Sequence, residues 1–103
     1  MIVVRDIFQI KFGKARDAIA SWKEGHKLIE NLDGNGRKFR LLTDFAGGQY
    51  YTLVMESEYE SLAEFEGEMA KIMGNKEWGN WYQKFVPLAD SGRREILNVV
   101  QLT

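Results

Sequence analysis

The spacing of apolar residues changes once near the start of the chain, and this change constrains the fold more than any other feature. Residues 2 to 12 (IVVRDIFQIKF) are mostly β-branched, aromatic and aliphatic, which predicts a strand. From Lys14 to about Leu32 the apolar side chains recur every three or four residues, which predicts a helix. Gly13 separates the two segments. The chain therefore begins with a strand followed directly by a long amphipathic helix.

Two further strands and a second helix follow. The turn NLDGNG at 31 to 36 is expected to end the first helix, and AGG at 46 to 48 is expected to join strands at about 37–45 and 49–57. Helical spacing then resumes in SEYESLAEFEGEMAKIM. Two serines there, Ser57 and Ser61, can each form a capping box with a glutamate three residues later.

The second helix is predicted in two pieces, because GN at 74 and 75 interrupts it before KEWGNWYQKFVPL. A last strand is predicted at 93–102 (RREILNVVQL). The order β-α-β-β-α-β is that of the ferredoxin-like fold, an α+β architecture with a four-stranded antiparallel sheet and helices on one face. A length of 103 residues fits one such domain, spanning residues 1–103.

The predicted strands carry apolar side chains on both faces, although the helices can cover only one. In the third strand, for example, Tyr51, Leu53 and Met55 alternate with Tyr50 and Val54. We therefore expect a homodimer in which an identical sheet covers the exposed face. The alternative is a monomer with an irregular apolar surface.

Composition excludes several classes of function. With 14 basic and 15 acidic residues the net charge is −1, so no nucleic-acid partner is expected. The chain contains no cysteine and one histidine, which argues against a structural zinc site, and no cofactor is predicted. No apolar run approaches the roughly 18 residues that span a bilayer, and no leader peptide is recognised. We expect a cytoplasmic protein without membrane contact.

Two segments carry a family likeness. FGKARDAIASWKEGHKLIENL resembles the first helix of NIPSNAP-like and antibiotic-monooxygenase-like domains. GNKEWGNWYQKFVPLADSGRREIL is similar to the NIPSNAP-type ending, with a broken second helix, a PL stop and a strand that opens in Arg-Glu. The chain thus resembles the dimeric α+β barrel superfamily, in which two ferredoxin-like sheets face each other.

The resemblance implies a pocket between the helices and the sheet, and it leaves the activity open. The superfamily includes cofactor-independent monooxygenases, isomerases, haem-degrading oxygenases and non-catalytic binding proteins. Haem-degrading members typically carry an asparagine near the start of the first strand, where this sequence has Arg5, Asp6 and Gln9. That departure argues against haem degradation.

His26 and Asp6 are the candidate catalytic residues. His26 lies on the apolar stripe of the first helix, where an imidazole could act as a general base or orient a substrate. The adjacent Gly25 suggests that either backbone or a ligand comes close to the helix. Asp6 lies on the more apolar face of its strand and needs a partner, either His26 in an acid/base dyad or an arginine in a salt bridge. The alternative for His26 is a core histidine with a satisfied ring.

Aromatic residues supply the candidate wall of a ligand site. An aromatic cluster can bind a flat apolar molecule, but it is also common in an ordinary core. The expected ligand-binding residues are Trp22, Gly25, Tyr51, Trp78, Trp81 and Tyr82. Two functions remain open on these residues. One is a cofactor-independent monooxygenase- or isomerase-like enzyme acting on a hydrophobic or aromatic compound, and the other is a non-catalytic ligand-binding or assembly domain.

Overall fold

The computed structural model describes residues 1–32 and 38–103, and the predicted ferredoxin-like order is confirmed. The elements in chain order are β1 (Ile2–Ile10), α1 (Ala15–Leu32), β2 (Phe39–Thr43), β3 (Thr52–Tyr59), α2 (Leu62–Met73), α3 (Lys76–Phe85), a 3₁₀ turn (Val86–Leu88) and β4 (Ala89–Asn98). The predicted turn at 31 to 36 lies mostly outside the described residues.

The four strands form one antiparallel sheet in the order β2-β3-β1-β4. Because opposed residues in an antiparallel pair share a face, the register assigns every strand position to one of two faces. Asp6 of β1 lies opposite Met55 of β3 and opposite Arg94 of β4. These three side chains therefore share the face that carries Ile10 and Leu53, which belong to the core under the helices.

Local capping explains why the second helix divides. The Ser61 side chain accepts a hydrogen bond from the Glu64 backbone N–H at the start of α2, at 3.1 Å. Gly74 ends α2, and the Asn75 side chain then accepts from the Trp78 backbone N–H at 2.8 Å to begin α3. The break at 74 and 75 and the Ser61 cap are as predicted. The alternative cap at Ser57 was wrong, because that residue lies within β3.

Strand boundaries differ from the prediction at the ends of the sheet. β4 begins at Ala89 and not at 93. The 3₁₀ turn ends at Leu88, directly before the sheet edge, and the next residue, Ala89, already pairs with Ile10 of β1. It ends at Asn98, so residues 99–103 extend beyond the sheet. β3 begins only at Thr52, after Tyr51 has taken a left-handed backbone with φ of 60°.

Aromatic residues dominate the main core. Trp22, Trp81 and Phe85 are almost fully buried where α1 and α3 meet the sheet. A second, smaller cluster forms under α2, where Phe65 packs on Tyr59, Ile2 and Val4. In the part of the chain described here, no helix has the length and apolar character needed to span a bilayer.

Candidate functional site

A large cavity lies between the helices and the sheet. Its volume is about 1190 Å³, and its lining comes from all three helices and from all four strands. The floor is the helix-covered face of the sheet, including Val4, Asp6 and Phe8 of β1. Several lining residues, among them Met73 and Val86, are at least half exposed, so the cavity is open to solvent. The fold thus contains the kind of pocket that the sequence resemblance implies.

An ion pair lies in the floor of this cavity. Arg94 Nε donates to Asp6 Oδ1 at 2.6 Å, and Arg94 Nη2 donates to Asp6 Oδ2 at 3.4 Å. The guanidinium carbon also lies 5.2 Å from the centre of the Phe65 ring, within the range of a cation–π contact. Both members of the pair line the cavity, and the Asp6 side chain is only 25% exposed. Asp6 therefore has an arginine partner and not His26.

His26 lies at the rim of the same cavity. Its Nε2 is 3.1 Å from Glu30 Oε1, one turn further along α1. Its ring stacks on Phe39 of β2, with ring centres 4.6 Å apart and planes 20° from parallel. The His26 side chain is 38% exposed, and it lines the cavity together with Glu30 and Phe39. The imidazole is thus within reach of both solvent and a bound molecule.

Two tryptophans line the cavity and a third supports them from behind. Trp22 and Trp78 belong to the lining, with ring centres 6.0 Å apart. Trp81 lies behind them, 4.5 Å from the Trp22 ring and 4.8 Å from the Trp78 ring. Trp81 Nε1 donates to the Ser21 carbonyl of α1 at 2.8 Å, whereas Trp22 Nε1 is buried without a hydrogen-bond acceptor in the described chain. The predicted aromatic wall therefore has a lining layer and a packing layer.

Gly25 allows the packing layer to form. A Cβ atom at this position would lie 2.5 Å from Cζ2 of the Trp81 indole, well inside van der Waals contact. Gly25 itself is buried and does not line the cavity. The expected approach of backbone or a ligand to this glycine was wrong, because a side chain of α3 makes the close contact.

The two candidate tyrosines lie in different places. Tyr82 of α3 lines the large cavity and is 38% exposed. Tyr51 lines a separate cleft of about 420 Å³ at the β2–β3 loop, where its ring packs edge-on against Phe12. Of the eight predicted site residues, the structure brings His26, Asp6, Trp22, Trp78 and Tyr82 to one cavity and places Tyr51, Gly25 and Trp81 outside its lining.

Arg94 is the main site residue that the sequence prediction missed. The predicted strand included Arg94, and Asp6 was expected to need a partner, either His26 or an arginine, but the register between the first and last strands was unknown. Alternation gives the face of each residue only within one strand. To identify a residue's neighbour on the next strand, the register of the two strands must be known. In this sheet the register places Asp6 opposite Arg94.

Residues 1–32 and 38–103 contain no cluster of three or more His, Asp or Glu side chains arranged to hold a metal ion. No family model matches the sequence, and no curated protein matches it either.

Solved structures of NIPSNAP proteins share the fold over the whole chain. A NIPSNAP domain protein from Burkholderia xenovorans superposes with a TM-score of 0.88 at 15% identity, covering 100% of this chain and 98% of that one. A NIPSNAP family protein from Agrobacterium tumefaciens gives a TM-score of 0.85 at 18% identity, covering 99% of this chain and 88% of that one. At sequence identities this low, the structural similarity establishes the fold alone. It confirms the resemblance to NIPSNAP-like domains as a likeness of fold.

A more distant structure extends the likeness to an oxygenase. SnoaB from Streptomyces nogalater, a cofactor-independent oxygenase, gives a TM-score of 0.70 at 9% identity, covering 97% of this chain and 93% of that one. NIPSNAP proteins and this oxygenase therefore have the same ferredoxin-like architecture as the present chain.

Proposed function

We propose that the cavity binds a hydrophobic or aromatic small molecule whose polar group lies against the Asp6–Arg94 pair. The observation that carries this proposal is a cavity of about 1190 Å³ that is lined mainly by aromatic and aliphatic side chains and has an ion pair in its floor. Small-molecule sites are typically concave and mostly apolar, with a few polar groups that fix the orientation of the ligand. The volume is sufficient for a ligand of several fused rings.

The ion pair favours a ligand with an acidic group. A guanidinium has five N–H donors, and only Nε and Nη2 of Arg94 contact Asp6. The remaining donors can bind a carboxylate, a sulfonate or a phenolate, and charge-assisted hydrogen bonds of this kind are about twice as strong as neutral ones. Phe65 and Asp6 fix the position of the guanidinium before a ligand enters. The proposed ligand is therefore an aromatic acid or phenol.

Two fluorescent probes test the site and its anchor separately. N-phenyl-1-naphthylamine is neutral, and 8-anilinonaphthalene-1-sulfonate has the same ring system with an added anionic group. We expect saturable binding of both probes, with the sulfonate bound about tenfold more tightly, a difference of about 1.4 kcal/mol. In Arg94→Met this preference should disappear while the neutral probe still binds. If neither probe binds saturably, the ligand-site proposal fails. If the preference survives in Arg94→Met, only the anchor is wrong.

A catalytic version of this function has Asp6 or His26 as its base. Both side chains line the cavity and can accept a proton. A C–H bond next to a carbonyl group in a substrate is acidic enough to lose its proton to such a base. An aromatic ketone, 2-tetralone, reports this step through hydrogen–deuterium exchange in D₂O. An enzyme should accelerate the exchange and lose the acceleration in Asp6→Asn or His26→Ala. A binding protein should leave the exchange at the buffer rate.

A further inference from the structure

The cleft beside the β2–β3 loop has an apolar lining that also contains aromatic rings and one carboxylate. Its volume is about 420 Å³, and none of its described lining residues also lines the large cavity. The aliphatic ones come from β1, α1 and β3, and they are Ile10, Ala15, Ile19 and Leu53. The others are three aromatic residues, one aspartate and two threonines. The cleft is therefore a separate candidate site with a mixed apolar and acidic lining.

The three aromatic residues come from two loops. Phe12 lies between β1 and α1, and Tyr50 and Tyr51 lie between β2 and β3. The Phe12 and Tyr51 rings meet edge-on with centres 4.8 Å apart. Phe12 and Tyr50 are 83% and 77% exposed, so little of their surface is used in core packing. The rings are therefore available to a molecule that enters the cleft.

Tyr51 has a backbone conformation that tyrosine rarely adopts. Its φ of 60° is left-handed, where glycine or asparagine would fit with less strain, and no other non-glycine residue in 1–32 and 38–103 has a positive φ. Two hydrogen bonds hold the turn. The Ile10 N–H donates to the Tyr51 carbonyl at 2.8 Å, and Gln9 Nε2 donates to the Tyr50 carbonyl at 2.6 Å. Backbone strain of this kind is concentrated at functional sites, which supports a role for the Tyr51 ring in the cleft.

Asp44 supplies a carboxylate that is held in place but not neutralised. Its Oδ1 accepts a hydrogen bond from the Thr52 backbone N–H at 2.9 Å, which fixes the side chain just after β2. None of the ion pairs formed within residues 1–32 and 38–103 involves Asp44. It is also the one charged side chain in the described lining of the cleft. The cleft therefore has a fixed negative charge beside three aromatic rings.

We propose that this cleft binds a small organic cation with a quaternary ammonium group. Aromatic rings attract such cations through their negative faces, and several rings together commonly recognise quaternary ammonium ligands. The methyl groups of the ligand suit the aliphatic part of the lining, and Asp44 balances the positive charge. A hydrated inorganic cation prefers several oxygen ligands and would gain nothing from these apolar contacts. This site is independent of the ligand proposed for the large cavity.

Two probes of the same shape separate the effect of charge from that of size. Choline has a trimethylammonium group, and 3,3-dimethyl-1-butanol has a neutral tert-butyl group in its place. Binding is followed by NMR at constant ionic strength, through the backbone amide resonances of nitrogen-15-labelled protein. We expect choline to shift the resonances of Asp44, Tyr51 and Thr52 saturably and to bind about tenfold more tightly than the alcohol. No saturable shift with choline would overturn the site, and equal affinity for the two probes would overturn its assignment to a cation.

The role of the carboxylate is tested with Asp44→Asn. An asparagine Oδ1 can still accept from the Thr52 N–H, so the loop should keep its conformation. The affinity for choline should fall about fivefold, while that for the neutral alcohol should not change. Glu66→Gln makes the same change in net charge at an exposed position of α2 outside the lining of either cavity, and it should bind choline as the wild type does. Unchanged choline affinity in Asp44→Asn would contradict the proposal.

The role of the rings is tested with Phe12→Leu, which keeps an apolar side chain and removes the aromatic face. Because Phe12 is largely exposed, the fold should not depend on its ring. The affinity for choline should fall about threefold or more, and the preference for choline over the alcohol should shrink with it. Phe45→Leu is the matched control, since Phe45 is fully exposed in the β2–β3 loop and lies outside the lining of the cleft. Equal choline affinity in the two variants would overturn the aromatic contact.

Discussion

Replacing Gly25 with alanine is expected to destabilise the protein by about 2 kcal/mol, although alanine is the better helix former by about 1 kcal/mol. The added methyl would lie 2.5 Å from Cζ2 and 2.8 Å from Cε2 and Cη2 of Trp81. The indole cannot simply withdraw, because its Nε1 is bonded to the Ser21 carbonyl and its ring stacks on Phe85 with planes 6° apart. Accommodating the methyl must therefore move α1 away from α3.

Chemical denaturation measures this effect against a matched control. Gly67→Ala makes the same change in α2, where the new Cβ meets nothing within 4 Å, and should raise the free energy of unfolding by up to about 1 kcal/mol. Trp81→Phe removes part of the clashing ring, so the cost of Gly25→Ala should be smaller in that background. Equal stabilisation by the two alanine substitutions would show that Trp81 does not pack on Gly25 as described.

Replacing Gly79 with phenylalanine is expected to weaken binding of N-phenyl-1-naphthylamine by about tenfold or more, an effect of about 1.4 kcal/mol. Gly79 lines the large cavity from α3, and a Cβ there meets nothing within 4 Å. The new ring therefore enters space that the proposed ligand needs. The helix should not weaken, because phenylalanine has a higher helix propensity than glycine.

The control for this experiment is Gly67→Phe. It adds the same side chain to a helix at an exposed position that is not part of the cavity lining, and its Cβ also meets nothing within 4 Å. The affinity for the neutral probe should match that of the wild type. An unchanged affinity in Gly79→Phe, with the fold intact by circular dichroism, would place the probe elsewhere on the protein.

The order of helices and strands could be predicted because the spacing of apolar residues within each segment differs between a helix and a strand. β1 and α1 differ in spacing on either side of Gly13, and the Asn75 cap marks the break between α2 and α3. These signals are local, so they need no knowledge of tertiary contacts. The start of β4 was misplaced because Ala89 and Asp90 have no strand propensity of their own, and pairing with β1 makes them part of the sheet.

The arrangement of the site could be predicted only in part. Helical spacing placed Trp22 and His26 on the sheet-facing side of α1, and both line the cavity. The same spacing could not separate Trp78, which lines the cavity, from Trp81, which packs behind it on Gly25. That difference depends on the distance between α1 and α3, which is set by tertiary packing and not by the sequence of either helix alone. The Asp6–Arg94 pair likewise required the register of distant strands.

The cavity is tested most directly by fluorine NMR of protein labelled with 5-fluorotryptophan. The chain has three tryptophans, so three resonances are expected, each assigned with a tryptophan-to-phenylalanine variant. On saturation with N-phenyl-1-naphthylamine, the resonances of Trp22 and Trp78 should shift, because both line the cavity, while that of Trp81 should shift least. Unchanged Trp22 and Trp78 resonances at a saturating probe concentration would contradict the proposed site.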